Sequence, residues 1–420
     1  DGTEAGTRML KNVAADHISD SNPREMHNVN GTLFFIADDG FGDTVWTTDG
    51  TPYGTTRIAL PPEAGNVQTF DEGDSSAVTG GLYYFLAGQP HNTDLWRTDG
   101  TKAGTFRLSD NDGTLLLPYR NGLLFFGHDA AHGRELWFTD GTASGTRLFM
   151  DVTTGPQNSA PFRPTVVDDV LYFSSGHYNR RTTDGTPANT TFFAEGISFP
   201  NDSPFVILDE WLYRPDPFVS RVHLRVPKYE SVQRFDQKPL RLHVFGSSLL
   251  IFLDRALWRS YGTQESTSLI KTLPAGSCVG ESEIAVTNGV LYWTIVNAQE
   301  GSVELWRTNG TSAGTALVES ISDPSATCRS LFAADGRVYF MGTDAFHGNE
   351  VWVSDGTETG THLLYDVNSG PDSSDPREFF TIGDTLYFTA TTPNAGRELW
   401  TSAPFTCVTD CIPKRRAARK

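Results

Sequence analysis

Apolar and aromatic residues occur along this chain in short blocks, never in a run approaching the roughly 18 that a membrane-spanning helix needs. One block recurs as GTLFFIA (31–37), GLYYFLA (81–87), GLLFFGH (122–128), DVLYFSS (169–175), GVLYWTI (289–295), GRVYFMG (336–342) and DTLYFTA (384–390). Each is a β-branched and aromatic run entered through a Gly or Asp turn, which predicts a strand. A second block follows, as VWTTDGTPYGT (45–55), LWRTDGTKAGT (95–105), LWFTDGTASGT (136–146), LWRTNGTSAGT (305–315) and VWVSDGTETGT (351–361). RRTTDGTPANT (180–190) and LWRSYGTQEST (257–267) are weaker copies. A further apolar stretch precedes each block pair and another follows it, as in 164–167 and 147–150. Every unit therefore predicts four short strands, with the Asp-Gly and Asn-Gly steps as hairpin turns. No helical period appears.

The slot Trp residues are 46, 96, 137, 258, 306, 352 and 400, with neighbours 41 to 50 residues apart except for a gap of 121 after Trp137. Four strands repeated at this period are the signature of a β-propeller, in which each sheet buries its faces against its neighbours. The recurrent Trp and Leu-Tyr-Phe positions are then packing between blades. The last unit ends RELWTS (397–402) without a DGT, and the chain begins DGTEAGT (1–7) without an ELW. Together they rebuild one motif, which predicts a ring closed by pairing of the N- and C-terminal strands. The expected fold is all-β, a single closed propeller over residues 1–403 followed by a Cys-containing basic tail, 404–420. Residues 200–240 read as an irregular blade, giving nine blades of about 47 residues. Eight blades with an insertion of roughly 30 residues is the alternative.

The residues that carry the repeat resemble the bacterial ELWxxDGT repeat proteins. The match is Glu135-Leu136-Trp137-Phe138-Thr139-Asp140-Gly141-Thr142, supported by Glu398-Leu399-Trp400 and Glu304-Leu305-Trp306. The family's Asp…Gly…Ser…Pro linker appears as DVTTGPQNSAP (151–161) and DVNSGPDSSDP (366–376). The resemblance covers nearly the whole chain except about 200–250. It implies a secreted or cell-surface protein with a binding or structural task. The departures, Arg181 for Trp and Tyr261 for Asp, touch strand edges.

Charge and composition narrow the partners. Lys and Arg number 33 against 51 Asp and Glu, a net charge of −18. That balance argues against nucleic acid, whose affinity comes from cationic side chains on phosphates. Four cysteines fit two disulfides, Cys407–Cys411 and Cys278–Cys328, or four thiols in a reducing compartment. Asn30, Asn189, Asn201 and Asn309 head Asn-x-Ser/Thr sequons open to glycosylation. The tail carries five basic residues among 414–420, suited to processing, to an acidic partner or to plain solvation.

Candidate chemistry is sparse. Asp38, Asp39 and Asp43 in one inter-strand loop, and Asp129 and Asp344 in two others, offer oxygen donors that would suit Ca²⁺. His132 and Glu135, or His347 and Glu350, would extend such sets. The competing reading is turn chemistry. No nucleophile elbow, zinc-protease helix, P-loop or dinucleotide fingerprint occurs. The leading expectation is a non-enzymatic, extracellular interaction or adhesive module, with a protein partner or self-assembly. Its contact set is Trp211, Tyr213, Phe218, Arg221, Arg225 and Tyr229 on the irregular blade. The alternatives are a polysaccharide-active propeller enzyme, hydrolase or lyase, or a glycan-binding lectin. The enzyme reading predicts carboxylates, His and Tyr gathered from several blades.

Overall fold

The structure is a computed structural model. It describes residues 7–14, 19–69, 75–89, 92–159, 162–167, 169–175, 179–183, 191–192, 205–215, 218–223, 228–280, 283–322, 328, 330–344 and 346–402. Among these residues there is no α-helix, only a short 3₁₀ turn at Pro62–Ala64. The strands form separate antiparallel sheets, here numbered 1 to 9. In chain order they are 24–57, 66–109, 114–150, 162–192, 206–233, 241–272, 277–322, 331–365 and 377–401. Each is an up-and-down meander of four strands, and sheets 2 and 7 carry a fifth short strand. The stretch expected to be irregular forms an ordinary four-stranded sheet, sheet 5. Sheet 9 takes its outer strand from the other end of the chain: Arg8–Lys11 pairs antiparallel with Gly396–Thr401, Met9 opposite Trp400. The strand that follows the N-terminal half-motif thus pairs with the strand that carries the C-terminal one, while residues 1–6 lie outside the described residues.

The unbroken apolar block of each unit has a geometric reason. It is the second strand, covered on both faces, so alternate residues serve two different cores. Leu33, Phe35 and Ala37 pack with Tyr387 and Leu399 of sheet 9. Their neighbours Phe34 and Ile36 pack with Tyr83, Phe85 and Trp96 of sheet 2. Such apolar clusters join each sheet to the next through the whole series, and sheet 9 to sheet 1. First strands of neighbouring sheets adjoin, including those of sheets 9 and 1 and of sheets 1 and 2. Burying one such Phe removes about 2–3 kcal/mol worth of apolar surface from water.

The two-residue hairpins lie elsewhere than the DGT steps. Asn30-Gly31, Asn288-Gly289 and Asp335-Gly336 join first to second strands with φ of 52° and 89°, 50° and 71°, and 50° and 78°. Two consecutive left-handed residues make a turn whose twist matches the strands it joins. The DGTxxGT segment is instead a longer loop between the third and fourth strands, such as Asp43–Thr48 and Thr56–Arg57.

Candidate functional site

The DGTxxGT loop is accounted for by its own hydrogen bonds. Asp49 Oδ1 accepts from the Thr51 amide at 2.9 Å and the Thr51 hydroxyl at 2.7 Å. Thr51 Oγ1 accepts from the Gly54 amide at 2.9 Å, and the Thr55 hydroxyl donates to the Thr51 carbonyl at 2.7 Å. Thr48 Oγ1 closes the loop, 2.7 Å from Thr55 Oγ1. The same set recurs at Asp99, Asp140, Asn309 and Asp355. The second glycine makes room for the carboxylate: a Cβ on Gly54 or Gly145 would sit 1.9 or 2.0 Å from the Asp49 or Asp140 side chain, which would have to move. The Thr101 hydroxyl and amide hold the Asp99 carboxyl below its ordinary pKa.

The proposed Ca²⁺ ligands do not converge. Asp38 Oδ1 accepts from the amides of Gly40 and Gly42 at 2.8 and 3.0 Å. Asp39 is buried and pairs with Arg57 at 3.1 Å, while Asp43 pairs with Arg24. Asp129 caps the amides of Ala131 and His132 and holds His132 Nδ1 at 2.9 Å; Asp344 does the same for Phe346 and His347, at 2.8 Å. Glu135 points elsewhere. Among the described residues no three His, Cys, Asp or Glu side chains gather in a way that could hold a metal ion. Short Asp side chains reach their own loop's amides first, which is the turn chemistry of the alternative reading.

The Glu of the ELW motif is a buried clamp on the linker. Glu135 accepts from the Val152 amide at 2.8 Å and from the Ser159 hydroxyl at 2.6 Å. Glu350 repeats this with Val367 and Ser374, at 2.8 and 2.6 Å. Glu398 does so across the chain ends, taking the Val13 amide at 3.2 Å and the Ser21 hydroxyl at 2.7 Å. Burial pushes the Glu398 carboxyl up to about 7; the Ser21 and Val13 hydrogen bonds oppose the shift and Asp20 adds to it.

The expected partner-binding set is mostly engaged inside sheet 5. Tyr213 is 2% exposed and is withdrawn from that surface: it lies in the core between sheets 5 and 6. Arg221 stacks 3.9 Å over the Trp211 ring and pairs with Glu230 at 2.5 Å. Phe218 is half-buried under Arg234, and Tyr229 is exposed. Arg225 lies outside the described residues, as do Cys407, Cys411, Asn189 and Asn201. Asn30 and Asn309 are exposed at turns. Cys278 and Cys328 form a disulfide spanning 50 residues.

A polar cluster that sequence reading missed stands where the first strands of sheets 1 and 2 adjoin. The Ser76 hydroxyl donates to Glu25 Oε2 at 2.7 Å and lies 2.9 Å from His27 Nε2. Glu25 and His27 come from the strand Arg24–Val29 of sheet 1, Ser76 from Ser76–Thr79 of sheet 2. The Tyr83 ring meets His27 edge-on, centroids 5.6 Å apart, and its hydroxyl is buried beside Ser76. Burial drives the Tyr83 phenol above its ordinary pKa, with Ser76 opposing. Glu25 holds a left-handed φ of 54°, a conformation that costs a non-glycine residue on the order of 1–2 kcal/mol. The strain comes with a break in strand register between Arg24 and His27, which recurs between Arg377 and Phe380. In sheet 9 the equivalent residue, Glu378, is acted on by Arg24, Arg377 and Arg397. Partial desolvation still raises its pKa, although its side chain touches solvent.

Counted back from the hairpin, Ser76 takes the register position that Met26, Leu116, Leu242, Ile284 and Leu331 fill in other sheets. A hydroxyl in a slot otherwise filled by core residues is the signal that would have found the site. Ser76 is 1% exposed, too enclosed to attack a polymer itself, whereas Glu25 and His27 are half-buried and keep surface. Ser76 is thus a positioning residue that ties a carboxylate to an imidazole. Such a pair can donate and accept protons on one substrate.

No protein-family model and no curated protein matches the chain. Among solved structures it is similar to a puromycin hydrolase, at 13% identity over 93% of this chain and 61% of that one, TM-score 0.43. It is also similar to an oligogalacturonate lyase in complex with manganese, at 13% identity over 77% and 96%, TM-score 0.40. A computationally designed protein, Ika8, matches at 12% identity over 78% and 97%, TM-score 0.45. The expectation of a non-enzymatic protein is corrected here, since similar structures include enzymes. At this identity the likeness is one of fold and indicates no reaction.

Proposed function

We propose that the nine sheets are the blades of one closed β-propeller, exported from the cell and related to the ELWxxDGT repeat proteins, and that it hydrolyses an extracellular polysaccharide. The closed ring is supported by the apolar clusters that run sheet to sheet and back from sheet 9 to sheet 1. Export is supported by the Cys278–Cys328 disulfide, a bond that persists in oxidising compartments. Among the described residues no helix is long and apolar enough to cross a membrane.

The observation that carries the catalytic reading is the Glu25–Ser76–His27 network, with Tyr83 beneath it. Both groups bond the same hydroxyl and so stand no farther apart than two hydrogen bonds allow, the close spacing of a two-step reaction. Glu25 attacks the anomeric carbon while His27 protonates the leaving glycosidic oxygen; His27 then takes a proton from the water that cleaves the glycosyl ester and frees Glu25. Hydrolysis is preferred to elimination because elimination needs an anionic uronate substrate, which a body of net charge −18 repels. The test is release of reducing ends from a panel of polysaccharides. Hydrolysis yields saturated ends, whereas elimination yields ultraviolet-absorbing unsaturated ones. Absence of any cleavage across the panel would contradict the proposal.

A further inference from the structure

A cavity of about 600 Å³ lies between sheets 7 and 8, lined by strands well away in sequence from the Glu25–Ser76–His27 cluster. Its apolar part is Ile321, Leu363 and the indole of Trp352; its polar part includes Glu319, Asp344 and His362. One wall exists because the fourth strand of sheet 7, Ala316–Ser322, pairs with the third strand from Ser302 to Arg307. The fourth strands of the other sheets have two to five residues. The volume is that of a small-molecule site, in which apolar walls with a few placed polar groups fix orientation.

We propose that this groove binds a neutral sugar segment of the polymer, as an anchoring site separate from the cleavage site; the inference rests on the polysaccharide reading above. A pyranose ring has one C–H-rich face, which packs on an indole, and a rim of hydroxyls that donate to carboxylates. Trp352 and Leu363 supply the first surface, Glu319 and Asp344 the second. Asp344 Oδ1 is taken up by the Phe346 and His347 amides, whereas Oδ2 meets only His347 Nδ1 and keeps capacity to accept from a sugar hydroxyl. Two carboxylates on the rim exclude uronates and sulfated sugars by repulsion.

Affinity electrophoresis of the full chain in gels containing a β-glucan, a galactomannan, an arabinoxylan or, as the anionic control, alginate tests this. Wild type is expected to be retarded by at least one neutral polymer and not by alginate. Glu319→Ala with Ser322→Arg, at a half-buried and an exposed position, fills the groove without touching the core. It is expected to weaken retardation by about tenfold or more. Glu265→Ala, at an exposed loop position of sheet 6, is expected to leave retardation unchanged, and His362→Ala gives a second groove variant should the first fail to fold. Unchanged retardation of the groove variants, or none for wild type, overturns the proposal. Cleavage with groove-independent binding would sink the groove alone; groove-dependent binding without cleavage would sink the catalytic reading alone.

Discussion

The DGTxxGT loops and the Glu25–Ser76–His27 cluster are both polar and rich in hydrogen bonds, yet they differ in kind. The loop recurs with the same bonds at Asp49, Asp99, Asp140, Asn309 and Asp355, and its recurring positions have a local structural reason. The cluster's serine occupies a slot filled by Met, Leu, Ile or Phe in most other sheets, and its bonds serve no turn or cap. Repetition marks what folding each sheet requires. A polar departure from the repeat, placed where two sheets meet, marks what folding does not require.

The largest effect should come from the cluster. His27→Ala is expected to lower polysaccharide cleavage by about 100-fold or more, the range of a general acid or base, with little change in thermal midpoint. Reducing-end assays beside thermal denaturation check this, and a parallel loss of both would assign His27 to folding instead.

Next is the covalent tie between sheets 7 and 8. Replacing Cys278 and Cys328 by Ser reopens a 50-residue loop and should cost about 2–4 kcal/mol in urea unfolding. A smaller loss would mean that the packing between these sheets already constrains the loop.

Glu398 gives a pH-dependent contrast between a structural and a catalytic carboxylate. Its folded pKa of about 7 exceeds its ordinary value of 4.5, so the folded state holds the proton more tightly. Its stabilising contribution is complete below about pH 4.5 and is lost as pH rises through 7, on the order of 1–3 kcal/mol. Glu398→Gln should flatten that limb of the stability profile; an unchanged slope would place its origin elsewhere.

The smallest effect belongs to a repeated turn. Gly145→Ala should displace Asp140 and cost about 1–2 kcal/mol, and Asp140→Ala in the same chain should recover part of it. Strict additivity would show that the glycine and the carboxylate are not coupled.

Much of the architecture was legible in the sequence because each unit repeats the same solution to the same burial problem. The strand blocks and the Trp slots could be read from the repeat, and the half-motifs at 1–7 and 397–402 pointed to the pairing of terminal strands that Arg8–Lys11 and Gly396–Thr401 make. The site was not legible in that way. Glu25, His27 and Ser76 lie up to 51 residues apart and meet only because first strands of adjacent sheets adjoin. The Asp-rich loops misled in the opposite direction. Asp38, Asp129 and Asp344 look like cation ligands by composition, but their own loop amides claim them. Tyr213 misled by its position in a unit that looked irregular yet folds as an ordinary buried strand.

The most direct test is the pH–rate profile of polysaccharide cleavage by Ser76→Ala against wild type, at matched folded fraction. With Ser76 as the tie between Glu25 and His27, the variant should lose most of its rate and its profile should shift, because both titrating groups lose their common partner. An unchanged rate and profile would return Ser76 to the core of an ordinary sheet and remove the cluster as the catalytic site.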